Sequence, residues 1–295
     1  MFAKVHIFVI AMILSTMSLT LAGSSTILDA DGYACMGDDK TRKDTKSESV
    51  KHAKRNAMEF ALSHITSETK VLNAQVEKDL LEAYSSAEVK VISMKEIGWY
   101  KDDSSGDCFK VQIRAEVLPD EQKASNVAKH VQANDDPSMP LNVRLWTNSK
   151  KYKTGEKVKI YLKANKPFYA RILYNDASGA ILQLLPNPFR TATYFNGGIV
   201  YEIPNNEDDF DLTVTPPLGA ERISVYASTS PLGEIESSPQ GGVYQVKTSA
   251  AELGIRTKGI NISKKASPSG AAGPDTNKDK TAEYYEDTIA ISTNN

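Results

Sequence analysis

The stretch from Phe168 to Phe189 constrains the fold more than any other part of the chain. In its first half, successive side chains fall on two alternating faces, one of them apolar, which is the period of a β-strand. Residues 175–179 then supply turn chemistry, and a second apolar run, 180–185, ends at Pro186, which has no backbone N–H to donate to a sheet. The stretch therefore predicts a β-hairpin that ends in a rigid, proline-flanked loop.

Strand-like patterns continue on both sides of this hairpin. Short alternating segments separated by Gly, Pro and Asn turns fill residues 141–262, and this spacing predicts an all-β, sandwich-like domain. Residues 263–281 are rich in Ser, Pro, Gly and Lys and are predicted to be a flexible loop, followed by a closing strand and tail at 282–295. Residues 119–140 are polar and bracketed by prolines, and are predicted to be a linker.

The N-terminal part has a different pattern. Apolar residues recur at spacings of three and four from about Thr45 to Ser67, which predicts a helix, and a second helical pattern covers Val76–Tyr84. Two alternating segments follow, Glu88–Ile97 and Cys108–Leu118, with an Asp- and Ser-rich turn between them. We expect residues 24–118 to form an α+β domain with two helices on an antiparallel sheet.

The start of the chain has the features of a secretory signal peptide. Lys4 precedes an apolar run, and small residues follow near Ala22. We predict that residues 1–22 are the signal peptide and that the mature protein is periplasmic or secreted, with no membrane span. An uncleaved anchor is the alternative, but the apolar run is shorter than the roughly 18–20 residues that cross a bilayer.

The chain contains two cysteines, Cys35 and Cys108. In an oxidising compartment, a disulfide between them is the favoured interpretation. It would join a short predicted strand, Tyr33–Met36, to the start of Cys108–Leu118, and closing so long a loop stabilises a chain by roughly 4 kcal/mol in the chain-entropy account. A zinc site or a catalytic thiol is the alternative, but neither cysteine belongs to a CxxC pair or has a histidine nearby.

Charge and motifs exclude several functions. The net charge of −2 gives no basic face for nucleic acid. No two histidines are four residues apart, and neither a GxSxG elbow nor a Gly-rich phosphate loop occurs. We therefore predict no metal, no cofactor and no catalytic residue. The acidic segment Asn205–Asp209 is expected to be a solvated loop, with a weak divalent-cation site as the alternative.

Aromatic residues around the 186–188 loop are the best candidates for an interaction surface. Exposed aromatic side chains offer a large contact area at low entropic cost. The alternative is that some of them fill the core, and that the asparagine of the loop caps a turn. The candidate residues are Tyr169, Tyr174, Asn187, Phe189, Tyr194 and Phe195.

Two parts of the chain resemble known families. Residues from 141 to about 230 resemble the bacterial domain of unknown function 4384, which implies an exported envelope module with no established activity. The matching positions are Tyr152, Gly155, Glu156, Phe168, Tyr169, Asp176, Gly179, Leu185, Pro186, Asn187, Ile203, Pro204, Pro217, Gly219, Ala220, Glu221 and the strand 223–227. More loosely, residues 30–118 resemble the N-terminal domain of the flagellar assembly protein T and related surface lipoproteins, through the alanine-spaced helix and the strand 111–117.

These observations predict a non-enzymatic, exported bacterial cell-envelope protein that acts as a binding or assembly module. Its partners would be envelope proteins or glycans. One alternative is a flagellar or secretion-apparatus accessory protein. Another is a cell-wall or glycan hydrolase that uses carboxylates such as Glu156, Asp176 and Glu202 as acid and base.

Overall fold

The computed structural model describes residues 23–37, 40–68, 74–124, 135–258 and 281–295. The predicted signal peptide, almost all of the predicted flexible loop and the middle of the predicted linker lie outside these residues. The helices of the described chain are α1 (Arg42–Glu68), α2 (Ala74–Ser85) and α3 (Ala250–Thr257). Its strands are β1 (Gly23–Cys35), β2 (Glu88–Asp102), β3 (Gly106–Leu118), β4 (Val143–Thr147), β5 (Lys151–Lys153), β6 (Ile160–Ala164), β7 (Phe168–Asn175), β8 (Ile181–Leu185), β9 (Tyr194–Phe195), β10 (Tyr201–Ile203), β11 (Ala220–Ser228), β12 (Ser237–Gln240), β13 (Val243–Val246) and β14 (Ala282–Asn294).

A single large sheet, almost entirely antiparallel, extends through both halves of the described chain. Its strands are ordered β2-β3-β1-β14-β11-β7-β8-β13-β12, with β5 beside the end of β14 and β9 beside β7. Strand β14 is central because its first residues pair with β1 on one side, while most of its length pairs with β11 on the other. A second sheet, β10-β6-β4, shares one hydrophobic core with β7 and β11.

The fold is therefore mostly β with few helices, and the predicted order of a helix-containing part followed by a β-rich part is confirmed in this outline. The sequence does not predict that both parts share one sheet. That continuity depends on β14, which closes the C-terminal half as expected and also pairs with β1. The position of the linker at 119–140 stays a prediction.

Several predicted elements differ in extent from those of the structure. The short strand expected at Tyr33–Met36 is the end of β1, which is 13 residues long. One of the alternating segments within 141–262, residues 210–214, is predicted to be a strand, but it makes only an isolated bridge between Thr213 and Lys157. Strands β12 and β13 and helix α3 have no counterpart in the prediction, because segments of four to eight residues are too short to show a clear apolar period.

Helix α1 lies very close to the sheet. Ala53, Ala57 and Ala61 are fully buried against β1 and β3, as the small residues on that helix face predict. Gly32 of β1 makes this approach possible, since a Cβ atom there would lie 2.2 Å from the carbonyl oxygen of Ser49. Any larger residue at Gly32 would have to push the helix away from the sheet.

The predicted disulfide is confirmed. Cys35 and Cys108 are bonded to each other, and they are direct partners in the register of β1 and β3. The bond joins the end of β1 to the beginning of β3, the strand that pairs with β1 on the side opposite β14.

The junction, which we define as Glu283 with Lys166 and His64, connects β14 to both halves of the protein. The Glu283 carboxylate is 4% exposed and lies 2.9 Å from the Lys166 ammonium and 3.5 Å from His64 Nε2 of α1. It also accepts the backbone N–H of Leu141. Burial alone would raise the pKa of Glu283, but the hydrogen bond from His64 and the charge of Lys166 outweigh it and hold the pKa below the ordinary value of 4.5.

Candidate functional site

The structure divides the predicted aromatic surface into separate groups. Tyr194 is 52% exposed and packs edge-on against Tyr169, with 5.3 Å between ring centroids. Phe195 points the other way, is almost fully buried, and stacks on Phe168 in the core. Phe195 is therefore not available to a partner on the protein surface.

Asn187 is buried and holds the loop together. Its side-chain amide donates to the carbonyl of Leu184, and its Oδ1 accepts the backbone N–H groups of Phe189 and Arg190, each at 2.8 Å. These bonds use the side chain to cap a turn, which is the alternative that the sequence left open for this residue. Asn187 has no free face for a ligand.

Exposed Phe189 and half-buried Phe210 form a stack that we call the aromatic rim. Phe189 is 57% exposed, and its ring lies 6.1 Å from that of Phe210. Two features fix the loop below it: Arg190 pairs with the largely buried Asp208 at 2.9 Å, and a Cβ atom at Gly242 would lie 3.0 Å from the Phe189 ring. The rim is thus supported from both sides.

A cavity of about 320 Å³ borders the aromatic rim. Asp211, which follows Phe210 in the chain, lines the cavity. Gly241 and Val243, the chain neighbours of Gly242 beside the Phe189 ring, line it too. It is lined by side chains of β7, β8, β11 and β14 and by residues 211–217. The apolar lining includes Val158, Leu182, Leu184, Ile223 and Ile291.

Three acidic residues line this cavity, and two of them already have partners. Asp176 caps the β7–β8 turn, because its Oδ1 accepts the backbone N–H groups of Ser178 and Ala180 at 2.9 Å. Asp211 pairs with the exposed ammonium of Lys157 at 2.8 Å. The third acidic residue, Glu221, is different.

Glu221 is buried without a cation. It is 2% exposed, and its Oε1 accepts the hydroxyl of Thr293 at 2.7 Å, whereas its buried Oε2 accepts no hydrogen bond. In the part of the chain that the structure describes, no Lys, Arg or His pairs with this carboxylate. Tyr174 lines the same cavity; burial first, and then the Glu221 carboxylate, raise the pKa of its hydroxyl well above the usual range. The two side chains interact without a hydrogen bond of ordinary length and angle.

Sequence reasoning missed Glu221 as a site residue, although the chain contains the signal for it. Glu221 has the same strand parity as Ile223 and Val225, which are both buried in the C-terminal core. An acidic residue at a core-facing position of an alternating strand departs from the usual pattern of buried apolar residues. Such departures are expected mainly at functional or strained sites.

Neither a metal cluster nor a membrane helix is found within the described ranges. No three His, Cys, Asp or Glu side chains there lie close enough to hold a metal ion. None of the described helices has the length and apolar character needed to cross a membrane.

Comparison with known proteins supports the C-terminal resemblance. The family model of the domain of unknown function DUF4384 matches residues 151–231. Asp176, Pro217 and Glu221, which are among the residues that carry this resemblance, line the cavity. No curated protein and no solved structure matches the chain. The resemblance of residues 30–118 to the flagellar assembly protein T gains no support from these comparisons.

Proposed function

We propose that this protein is a non-enzymatic, exported bacterial cell-envelope protein that acts as a binding or assembly module. The partner would bind at the cavity and its aromatic rim. The observation that carries the proposal is the Phe189–Phe210 stack, with Phe189 exposed, beside a concave site whose lining is more apolar than polar. Binding sites commonly have this form, and rigid aromatic side chains contribute strongly to contact energy.

Export is supported by two independent features of the chain. The first residues have the composition of a signal peptide, and Cys35 and Cys108 form a disulfide. Disulfides persist in oxidising compartments and are rare in the cytosol of most organisms. We accordingly propose a mature protein in the periplasm or outside the cell, where its partners would be envelope proteins or glycans.

The proposed layout is an N-terminal α+β layer followed by a sandwich-like C-terminal half. In the C-terminal half, the small β10-β6-β4 sheet lies over the large sheet, and Leu145, Ile160, Ile172 and Val225 share one core. This arrangement places the cavity at the end of the C-terminal half that contains the 211–217 segment.

The edges of the large sheet are weaker candidates for partner binding. Edge strand β2 carries two register shifts, between Val91 and Ser93 and between Glu96 and Gly98, and edge strand β12 contains Pro239. Bulges and prolines at an edge are devices that hinder the addition of another strand. The cavity is therefore the better binding site.

The roles of the individual carboxylates favour binding over hydrolysis. Of the three carboxylates considered from the sequence, Glu156 accepts the backbone N–H of Lys153, Asp176 caps a turn, and Glu202 pairs with Lys159 at 2.8 Å. Release of sugars from peptidoglycan by the purified protein would instead support the hydrolase. The flagellar alternative depends on the N-terminal resemblance alone, and loss of motility in a deletion strain would support it.

Crosslinking in intact cells of the source organism tests the proposed function. A photoreactive phenylalanine analogue replaces Phe189, and a matched variant carries it at Met94, which is similarly exposed on β2 in the N-terminal half. We expect one dominant envelope component to be crosslinked from position 189. We expect that component to be absent from the products of position 94. Identical products from both positions, or no product from 189 with the protein folded and exported, would contradict the proposal.

A further inference from the structure

We propose that the cavity binds a primary ammonium group on an unbranched aliphatic stem, which is the chemistry of a lysine side chain, and that Glu221 receives this group. The inference rests on the proposed function, because it names the ligand class of the same site. It is carried by the combination of a buried acceptor oxygen without a hydrogen bond and a cavity that the same residue, Glu221, lines.

Glu221 differs from the other buried glutamates of the described chain because no cationic side chain pairs with it. The described chain contains three glutamates that are almost fully buried, Glu116, Glu221 and Glu283. The Glu116 carboxylate lies 2.8 Å from the Lys258 ammonium, and that of Glu283 lies 2.9 Å from the Lys166 ammonium. Glu221 is the least exposed of the three and has no such partner in the described chain. Because an unpaired buried carboxylate is unfavourable, an incoming ammonium would complete the site.

The walls of the cavity select the rest of the ligand. Apolar side chains supply the larger part of its lining, and its one buried side-chain oxygen without a hydrogen bond in the described chain is Glu221 Oε2. A lysine side chain matches this distribution, since its apolar stem ends in one compact charge. A guanidinium carries five donors in a rigid fork, which is a larger set to satisfy than that of an ammonium, since Asp176 and Asp211 each already use one oxygen. A divalent cation needs several oxygen ligands, and one unused carboxylate oxygen does not supply them.

Two neighbours of Glu221 prepare the site. Thr293 holds Oε1 through its hydroxyl, and this hydroxyl is itself fixed by the backbone N–H of Gly219 at 2.9 Å. Oε2 is screened from solvent, so a wall side chain has to move before an ammonium can reach it. Tyr174, which lines the cavity and interacts with the carboxylate, is the second neighbour.

Calorimetric titration of the oxidised full-length chain at low salt tests the inference. The probe is Nα-acetyl-lysine N-methylamide, and the matched probe is Nα-acetyl-norleucine N-methylamide, which keeps the stem and lacks the ammonium. We expect the lysine probe to bind at least about tenfold more tightly than the norleucine probe, in line with a charged hydrogen bond in a buried site. Equal affinity of the two probes, or no binding of either, would overturn the inference.

Three variants make the result specific to the cavity. Glu221→Gln should weaken the lysine probe about tenfold or more, whereas Glu207→Gln, which removes an exposed acidic side chain outside the cavity, should leave its affinity unchanged. Val243→Phe narrows the cavity while keeping Glu221, and should weaken the probe as well. A thermal melt checks that each variant is folded. Equal weakening by the Glu207 and Glu221 variants would mean general charge attraction and would overturn the inference.

Pentylamine, as a further probe, distinguishes two sources of the same chemistry. Binding as tight as that of the blocked lysine indicates free aliphatic amines as ligands, whereas weaker binding indicates a lysine within a polypeptide, and both results support the inference. The failure of this inference is distinct from that of the proposed function. If no amine binds but position 189 still crosslinks to one partner, the binding module stands and the ligand class is wrong.

Discussion

The junction and the cavity treat the same chemical group in opposite ways. At the junction, the buried Glu283 carboxylate has a lysine, a histidine and a backbone N–H around it. In the cavity, the buried Glu221 carboxylate has one threonine hydroxyl and an oxygen without a partner. Both residues belong to strands of the same sheet, β14 and β11, which are direct neighbours.

This difference separates a structural carboxylate from one that is available for function. A buried charge that is fully partnered holds elements together, and removing one partner is costly. A buried charge with an unused acceptor contributes little to folding, and proteins tolerate such groups mainly where function requires them. We infer that Glu283 serves the fold and that Glu221 serves binding.

The largest effect is expected at the junction. Lys166→Met leaves Glu283 buried beside a weaker set of partners, and should lower the free energy of unfolding by roughly 3–5 kcal/mol. Lys40→Met is the matched control, because it removes a half-exposed pair with Glu48 and should cost less than about 1 kcal/mol. Urea unfolding of both variants measures the difference. A loss for Lys166→Met as small as that for Lys40→Met would show that the junction does not hold the halves together.

The pH dependence of this effect follows from the lowered pKa of Glu283. A carboxyl group whose pKa is lower in the folded state contributes stability above its unfolded pKa, and this contribution is lost as the pH falls through the folded value. The difference in the free energy of unfolding between wild type and Lys166→Met should therefore be largest above about pH 5. It should shrink as the pH falls below the ordinary glutamate pKa of 4.5. A gap that widens in acid would contradict the assigned pairing.

A smaller effect of opposite sign is expected in the cavity. Glu221→Leu removes a carboxylate with an unused oxygen, and the Thr293 hydroxyl keeps its bond with the N–H of Gly219. We expect the free energy of unfolding to stay the same or to rise, by up to roughly 2 kcal/mol. Glu283→Leu is the matched variant and should be strongly destabilising, because it leaves the buried Lys166 ammonium without its carboxylate. Equal losses of unfolding free energy in Glu221→Leu and Glu283→Leu would contradict the different roles assigned to the two glutamates.

The parts of the fold that the sequence predicts are those with a clear apolar period or a turn residue. The β7–β8 hairpin and helix α1 with its buried alanines belong to this group. The pairing of Cys35 with Cys108 was predictable for a different reason, because the chain contains two cysteines and an export signal. The junction could not be predicted in the same way. Glu283, Lys166 and His64 are far apart in the chain, and only the pairing of β14 with β1 and β11 brings them together.

The candidate site was predictable only in part. The sequence left open which of the candidate aromatic residues are exposed: Phe189 is exposed, whereas Phe195 is on the inward face of β9 and Asn187 is buried by its bonds within the turn. Glu221 could have been found from its core-facing parity on β11. The lack of a partner for Glu221 Oε2 could not have been predicted, because it depends on the side chains packed around the strand and not on the strand itself.

The most direct test of the central claim compares the buried glutamates in one experiment. The protein is labelled with ¹³C at the glutamate side-chain carboxyl carbons, the signals of Glu116, Glu221 and Glu283 are assigned with Glu→Gln variants, and pentylamine is added. We predict a saturable change at Glu221 with no change at Glu116 and Glu283, whose carboxylates already contact lysines. An unchanged Glu221 signal, or equal changes at all three, would contradict the assignment of Glu221 as an unpaired carboxylate that awaits a cation.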